Sequence, residues 1–321
     1  MHTRLIRWAI TAAWASTALA QPPQHSQAWQ QSATWAEETE ETMPTNIWQG
    51  TTDGNWGEFT NWSLAAVPVT GDTVIIPASA TVSITSGLTQ NTVNLLAMII
   101  EPECTIDIGL VGTPLYITIR ELKHFGDGAL YYRNSNVADN MLFVDSYNLD
   151  DALTIHTSSS TIEQLFLRSG KVVVDGAVTC SLDVIDTSNG RSGRAILTST
   201  GTSDSHLQLG GVSEFSSSGL IDPVVMNGGL LTISGTSGIA TCWLFGGRIN
   251  FLAPSLGVSG LWHIVGGVMD FTGATTTQTF TTAKPVVYPR GQLLYNPTKT
   301  SFATGYPIYL KEEFGSAIGG P

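Results

Sequence analysis

Short stretches in which apolar residues occupy alternate positions recur along the chain between residues 74 and 295. A period of two is the pattern of a β-strand with one face buried. In the second half, these stretches flank turn glycines at intervals of 18, 18, 20 and 24 residues. These turn glycines are Gly211, Gly229, Gly247, Gly267 and Gly291, and an earlier copy of the pattern surrounds Gly170.

A large side chain follows each of the five regular turn glycines at the same distance. Each unit therefore predicts a strand, a glycine turn with positive φ, a second strand and a loop. One unit cannot bury its own apolar face, whereas a stack of units buries a continuous core. The side chains predicted to form a core ladder are Phe215, Ile233, Phe251, Phe271 and Tyr295.

The repeat predicts an all-β fold, a single-stranded parallel β-helix (β-solenoid) with coils of about 18–24 residues. A β-sandwich, or a pair of them, is the alternative, because strands recur at similar intervals in sandwiches. The unit before Gly211 departs from the pattern, since its apolar residues are Leu207 and Leu209. We expect a one-residue slip there, with an altered turn or a bulge.

Three tryptophans mark the entry to the repeat. Trp48, Trp56 and Trp62 lie on short predicted strands around the turn signal Asp53-Gly54. An unpaired strand edge at the end of a stack invites aggregation, so three large rings are a suitable plug. The alternative is that the three rings form an aromatic platform for a sugar.

This stretch resembles the W-x-G-x-x-D-G-x-W…N-W-S…V-P…G-D-x-V-x-I opening of repetitive β-helical proteins. Such openings occur in bacterial secreted and surface proteins and in phage-associated structural proteins. The resemblance covers about 30 residues and implies the fold and display on a cell or virion surface, not a reaction. The matching residues are Trp48, Gly50, Asp53, Gly54, Trp56, Asn61, Trp62, Ser63, Val67, Pro68, Gly71, Asp72, Val74 and Ile76.

Composition narrows the class of protein. Charged residues make up 12% of the chain, and the net charge is −12. Few charges with abundant Gly, Ser, Thr and Val are typical of β-rich extracellular or particle-bound proteins. An acidic protein lacks the basic surface patch that binds a phosphate backbone, so we expect no nucleic-acid partner. The sequence contains no run of about 20 apolar residues, so we predict no transmembrane segment.

Residues that could carry chemistry are scattered. The three cysteines, Cys104, Cys180 and Cys242, have neither metal-ligand nor redox spacing, and we expect them to be small buried apolar residues. The histidines form no close-spaced ligand pair. We therefore predict no catalytic residues, no metal site and no cofactor. Arg191 and Arg194, in a predicted loop at 189–194, are candidates to meet an acidic ligand, and a solvated loop is the preferred interpretation.

The chain divides into five predicted parts. Residues 1–20 fit a signal peptide, and residues 21–45 fit a disordered linker rich in Gln, Pro, Ser and Glu. Residues 46–77 are the predicted cap, 78–300 the solenoid, and 301–321 a closing strand and tail. Alternatively, Met43 is the true start and the preceding residues are an upstream extension. Export predicts an extracellular or cell-surface protein, and a start at Met43 predicts a virion component.

These patterns predict a non-enzymatic structural or adhesive solenoid on a cell surface or a phage virion, acting as a fibre, decoration or spacer. The alternative is a polysaccharide-binding or polysaccharide-cleaving β-helix protein. The expected partners are glycans or neighbouring structural subunits. A homotrimeric fibre segment is a further expectation.

Overall fold

A computed structural model describes residues 44–134, 140–148, 150, 152–184, 193–198, 205–216, 218–235, 238–252, 257–258, 260–275, 277–280, 285–302 and 307–310. The predicted signal peptide, the linker up to residue 43 and the predicted tail from residue 311 lie outside the described residues.

The described chain consists of β-strands and one 3-10 turn at Phe59–Asn61. The strands are β1 (Thr45–Ile47), β2 (Thr73–Ile76), β3 (Thr89–Ile100), β4 (Leu115–His124), β5 (Leu130–Asn134), β6 (Met141–Asp145), β7 (Leu153–Val184), β8 (Gly193–Leu197), β9 (Ser205–Gln208), β10 (Val212–Phe215), β11 (Val224–Met226), β12 (Leu230–Ile233), β13 (Cys242–Leu244), β14 (Arg248–Phe251), β15 (Gly257–Val258), β16 (Trp262–Asp270), β17 (Gln278–Phe280), β18 (Val286–Leu294), β19 (Thr300–Phe302) and β20 (Ile308–Tyr309).

Parallel pairing in steady register stacks these strands into coils. In the first run, β1, β2, β3, β4, β6 and β7 pair in turn, and Thr73, Ala97, Glu121 and Met141 are partners 24, 24 and 20 residues apart. In a second run, β7, β9, β11, β13, β16, β18 and β20 pair in turn. The predicted β-solenoid is confirmed, and the parallel pairing excludes a sandwich of antiparallel sheets.

The core lies inside the coils as columns of like side chains. Phe215 pairs in register with Ile233, and Ile233 pairs with Phe251. The rings of Phe251 and Phe271 are stacked with centroids 4.1 Å apart and planes 1° apart. Tyr295 is half-buried against the core and meets Phe302 edge-on at 5.5 Å. The five large side chains therefore follow one another along the stack.

The turn glycines serve two different purposes. Gly170, Gly211, Gly229, Gly247 and Gly267 all have φ between +66° and +92°, the left-handed region that favours glycine. Gly291 does not adopt this conformation, so its prediction as a positive-φ turn residue is wrong. It lies within β18, where a Cβ atom would come 2.1 Å from the carbonyl oxygen of Ile264. Close backbone approach is therefore what requires glycine at this position.

No slip occurs in the unit before Gly211, contrary to the expectation from its apolar residues. His206 pairs in register with Val224, and Gln208 pairs with Met226. Both polar side chains point into the core, fully buried, and His206 Nε2 lies 3.0 Å from Gln208 Oε1. Gln208 Nε2 also donates to the carbonyl of Gly211 at 3.1 Å. Because they are hydrogen-bonded within the core, the polar side chains of His206 and Gln208 can occupy positions that are apolar in the neighbouring coils.

The entry tryptophans close the first end of the stack. Trp48, Trp56 and Trp62 are 1%, 0% and 1% exposed, and Trp62 meets both other rings edge-on at 5.0 and 4.8 Å. Beyond them, Ser63 N donates to the carbonyl of Ile47, and Ile47 N donates to Ser63 Oγ, both at 2.9 Å. The backbone N–H and C=O of Ile47, on the outer edge of β1, are therefore already hydrogen-bonded within the chain.

Gly247→Ala is expected to destabilise the protein by about 1–3 kcal/mol, because alanine resists positive φ. Its Cβ atom would also lie 2.6 Å from the carbonyl oxygen of Gly229. Urea unfolding measures the effect. The control is Gly112→Ala, where a Cβ atom meets nothing within 4 Å and stability should hold or rise slightly. Equal urea midpoints for the two variants would contradict the role of the turn.

His124 should make stability depend on pH. The imidazole is fully buried, with Nε2 2.8 Å from the Ala152 carbonyl oxygen, and burial lowers its pKa from 6.5 to about 4. Between these values the unfolded chain binds more protons than the folded one, so stability falls as the pH drops from 6.5 towards 4. The expected loss is about 3 kcal/mol.

Urea unfolding of the native chain and of His124→Gln across pH 4 to 7 isolates this contribution from that of the carboxyl groups. The native chain should lose more stability than the variant on acidification. Identical pH profiles for the two proteins would show that His124 does not contribute.

Candidate functional site

The sequence-predicted binding residues do not form a common site. The entry tryptophans are buried in the cap, so they offer no ring face to a sugar, and the platform prediction is not what the structure builds. Arg194 belongs to strand β8 and not to a projecting loop. It forms an ion pair with Glu214 at 2.8 Å, both side chains being more than 40% exposed. Arg191 lies outside the described residues.

Asp145 and two of the cysteines are likewise engaged or buried. Asp145 pairs with Arg168 at 3.2 Å and accepts a hydrogen bond from Ser169 Oγ at 2.5 Å. Burial raises the pKa of the thiols of Cys104 and Cys242. Within the described residues, no group of three or more His, Cys, Asp or Glu side chains is arranged to hold a metal ion.

The outer surface of the first run carries an unexpected apolar line. We call it the first outer row: the residues pair in register from rung to rung, and each follows a buried residue on its strand. Five of the six are apolar. The row consists of Ile47, Ile75, Ile99, Lys123, Phe143 and Phe166.

The second run carries a matching line, the second outer row, formed by Leu207, Val225, Trp243 and His263 in register. Trp243 stacks on His263 with centroids 4.0 Å apart and planes 10° apart. Phe245, just after the end of the same strand, is 44% exposed, and its ring plane lies within 12° of that of Trp243. Val286 pairs in register with His263, and the Tyr288 hydroxyl lies 3.3 Å from His263 Nδ1.

Electrostatics keep both rows close to neutral. Lys123 is neutralised by Glu121 on its own strand, with Nζ 2.8 Å from the carboxylate. Partial burial lowers the pKa of His263, which favours the uncharged imidazole at neutral pH. The rows are therefore apolar lines on an otherwise acidic protein.

Stacked side chains on a sheet contribute to stability through cross-strand contacts of roughly 0.2–1 kcal/mol each. In each outer row, the side chains of neighbouring coils cover one another's sides. The outward edges of these side chains remain in contact with solvent. An extended apolar line with polar surroundings is typical of a surface that contacts another molecule. The two outer rows provide an apolar contact surface. Within the described residues, they hold no group placed for acid–base or nucleophilic chemistry.

The signal for these rows is visible in the sequence as consecutive apolar residues. Strands buried on one face alternate apolar and polar residues, whereas strands covered on both faces are apolar at consecutive positions. Such apolar triplets occur on six strands, with an outer-row residue at the centre of each. They are 74–76, 98–100, 142–144, 165–167, 224–226 and 242–244.

Comparison with protein-family models, with curated proteins and with solved structures finds no match to this chain. No helix in the described part of the chain has the length and apolar character needed to cross a membrane.

Two tryptophans on neighbouring rungs provide a direct test of the outer row. Trp243→Thr should cost about 1 kcal/mol or less, because the side chain loses only cross-strand contacts. Trp262→Thr should cost about 3–5 kcal/mol, because Trp262 is 1% exposed in the core. Urea unfolding of both variants measures the difference. A cost for Trp243→Thr as large as that for Trp262→Thr would make the outer row part of the core.

Proposed function

We propose that this protein is a non-catalytic structural or adhesive β-solenoid, displayed on a cell surface or a virion, that contacts a protein partner along its outer rows. The single observation that carries the proposal is the pair of register-stacked apolar rows on the outside of the coils.

Parallel sheets in proteins are usually covered on both faces, commonly by helices. The described part of this chain contains no α-helix that could cover the outer rows. Phe143, Phe166 and Trp243 therefore remain half-buried at the surface, which is a costly place for large apolar side chains. A protein surface laid along the rows would remove them from water and stabilise the complex.

The proposed location combines two sequence features. Low charge content and an acidic body are typical of extracellular and particle-bound proteins. The resemblance of the tryptophan-rich entry to the openings of secreted, surface and phage-associated β-helical proteins supports display on a cell or a virion.

Polysaccharide binding is the second candidate, and the aromatic cluster around Trp243 favours it. Sugars stack on the faces of aromatic rings, however, and one face of Trp243 is covered by His263 at 4.0 Å. Val225 occupies the preceding rung beside the same ring. The outward-facing part of Trp243 is thus mainly a ring edge, which suits a protein surface better than a sugar ring.

The proposal is tested by following the tagged full chain in its own host. We expect it to be recovered with the cell envelope or with virus particles. The double variant Phe143→Thr/Phe166→Thr should shift to the unbound fraction by about tenfold, the equivalent of about 1.4 kcal/mol. The control is Val111→Thr, which removes a 70% exposed apolar side chain away from both rows and should behave as the native chain.

Circular dichroism would verify that each variant is folded. Equal recovery of the native chain and the double variant would overturn the role of the outer rows. A glycan array and a reducing-sugar assay on the same native protein address the second candidate. Release of reducing sugar would overturn the non-catalytic proposal, and array binding lost in Trp243→Thr would favour the polysaccharide-binding one.

A further inference from the structure

A cleft of about 310 Å³ lies at one corner of the solenoid, and its lining residues belong to neither outer row. One wall is the corner at residues 85–90. The other wall is Thr113 of the next coil, at the end of a tight turn in which Leu110 and Thr113 exchange backbone hydrogen bonds of 3.0 and 2.9 Å. Both walls lie within residues 44–134, which are described without a gap. The volume is at the lower end of the range of ligand pockets, roughly 300–1,000 Å³.

An irregularity in strand β3 borders the cleft. Thr89 pairs in register with Tyr116, whereas the next pair joins Asn94 with Thr118, so residues 90–93 lie opposite Ile117 alone. Extra residues of this kind interrupt a regular ladder, turn side chains away from it and are frequent beside binding sites. The corner of this coil therefore departs from the smooth surface that the regular repeat produces elsewhere.

The lining of the cleft is rich in hydroxyl groups. A hydroxyl both donates and accepts a hydrogen bond, which is also what each hydroxyl of a sugar does. Gln90 adds a carboxamide, and its Nε2 donates to the Gly87 carbonyl at 2.8 Å, which orients the side chain before any ligand arrives. The exposed residues that carry the hydroxyls are Thr85, Ser86, Thr89 and Thr113.

Tyr116 adds a half-buried aromatic ring beside the cleft. Its register partner on the following coil, Arg133, places its guanidinium carbon 4.7 Å from the ring centroid. Its register partner on the preceding coil is Thr89, a cleft residue with a small side chain. Because the guanidinium covers the ring face on the side of the following coil, the opposite face points towards Thr89. An apolar ring face at this place suits the C–H groups of a sugar.

We propose that this cleft binds a neutral saccharide, with a sugar ring packed on Tyr116 and its hydroxyls hydrogen-bonded by Gln90 and the threonine and serine side chains. Among the described residues, those that line the cleft are all uncharged, and the protein carries a net charge of −12. An acidic saccharide would therefore be repelled by the protein as a whole. The site is separate from the outer rows and does not depend on the proposed function.

The probes for this site are an array of neutral and acidic glycans and calorimetry of the full chain with the neutral glycan that binds best. Thr89→Val/Thr113→Val keeps the shape of both side chains and removes their hydroxyls, so it should weaken binding by about tenfold or more. Tyr116→Leu should also weaken binding by about tenfold, because the ring face is lost.

Thr232→Val is the matched control, since Thr232 lies on the outer face of β12 and outside the cleft. It should bind the glycan as the native chain does. Trp243→Thr should also bind normally, which separates the cleft from the second outer row. Circular dichroism verifies that each variant is folded.

Failure of every neutral glycan to bind would overturn the proposal, as would equal affinity of the native chain and the double valine variant. Loss of binding in Trp243→Thr with full binding in the double variant would place the sugar on the second outer row instead. A preference for acidic glycans would contradict the assignment of a neutral ligand.

Discussion

Backbone hydrogen bonds between parallel coils are the interaction on which this structure depends. Because the register is constant, equivalent positions of successive coils lie directly above one another. Similar side chains at these positions therefore form columns along the stack. The Phe251–Phe271 stack inside and the Trp243–His263 stack outside are two results of the same pairing. The positive-φ glycines permit the turn that lets each coil keep this register.

The repeat explains why much of the fold could be predicted. Gly229, Gly247 and Gly267 recur with apolar neighbours at fixed distances, and such columns arise when identical units lie on one another. Apolar residues alone predict the wrong register for the unit around His206, because the residues that face the core there are polar. A slip would break several inter-coil hydrogen bonds, each worth about 1 kcal/mol. Burying His206 and Gln208 with a hydrogen bond between them disturbs the stack less.

The candidate site was harder to predict, because it lies on the strand positions that a period-two pattern assigns to solvent. Phe166 and Trp243 are the central residues of apolar triplets. If those strands are assumed to be buried on one face only, these two side chains are predicted to face solvent and are given no role. The glycine and serine residues around Arg194 favour a loop. Its strand is set by pairing with Lys171 and Val212 on the neighbouring coils, which local sequence does not reveal.

The closed first end has a consequence for how such a protein can change in length. A duplicated coil placed ahead of β1 would have to displace the segment around Ser63, which is hydrogen-bonded to Ile47. Tandem duplication within the stack leaves these bonds in place. An insertion that preserves the 18-residue spacing between Gly229 and Gly247 leaves every column in phase, which makes that stretch the natural unit of expansion.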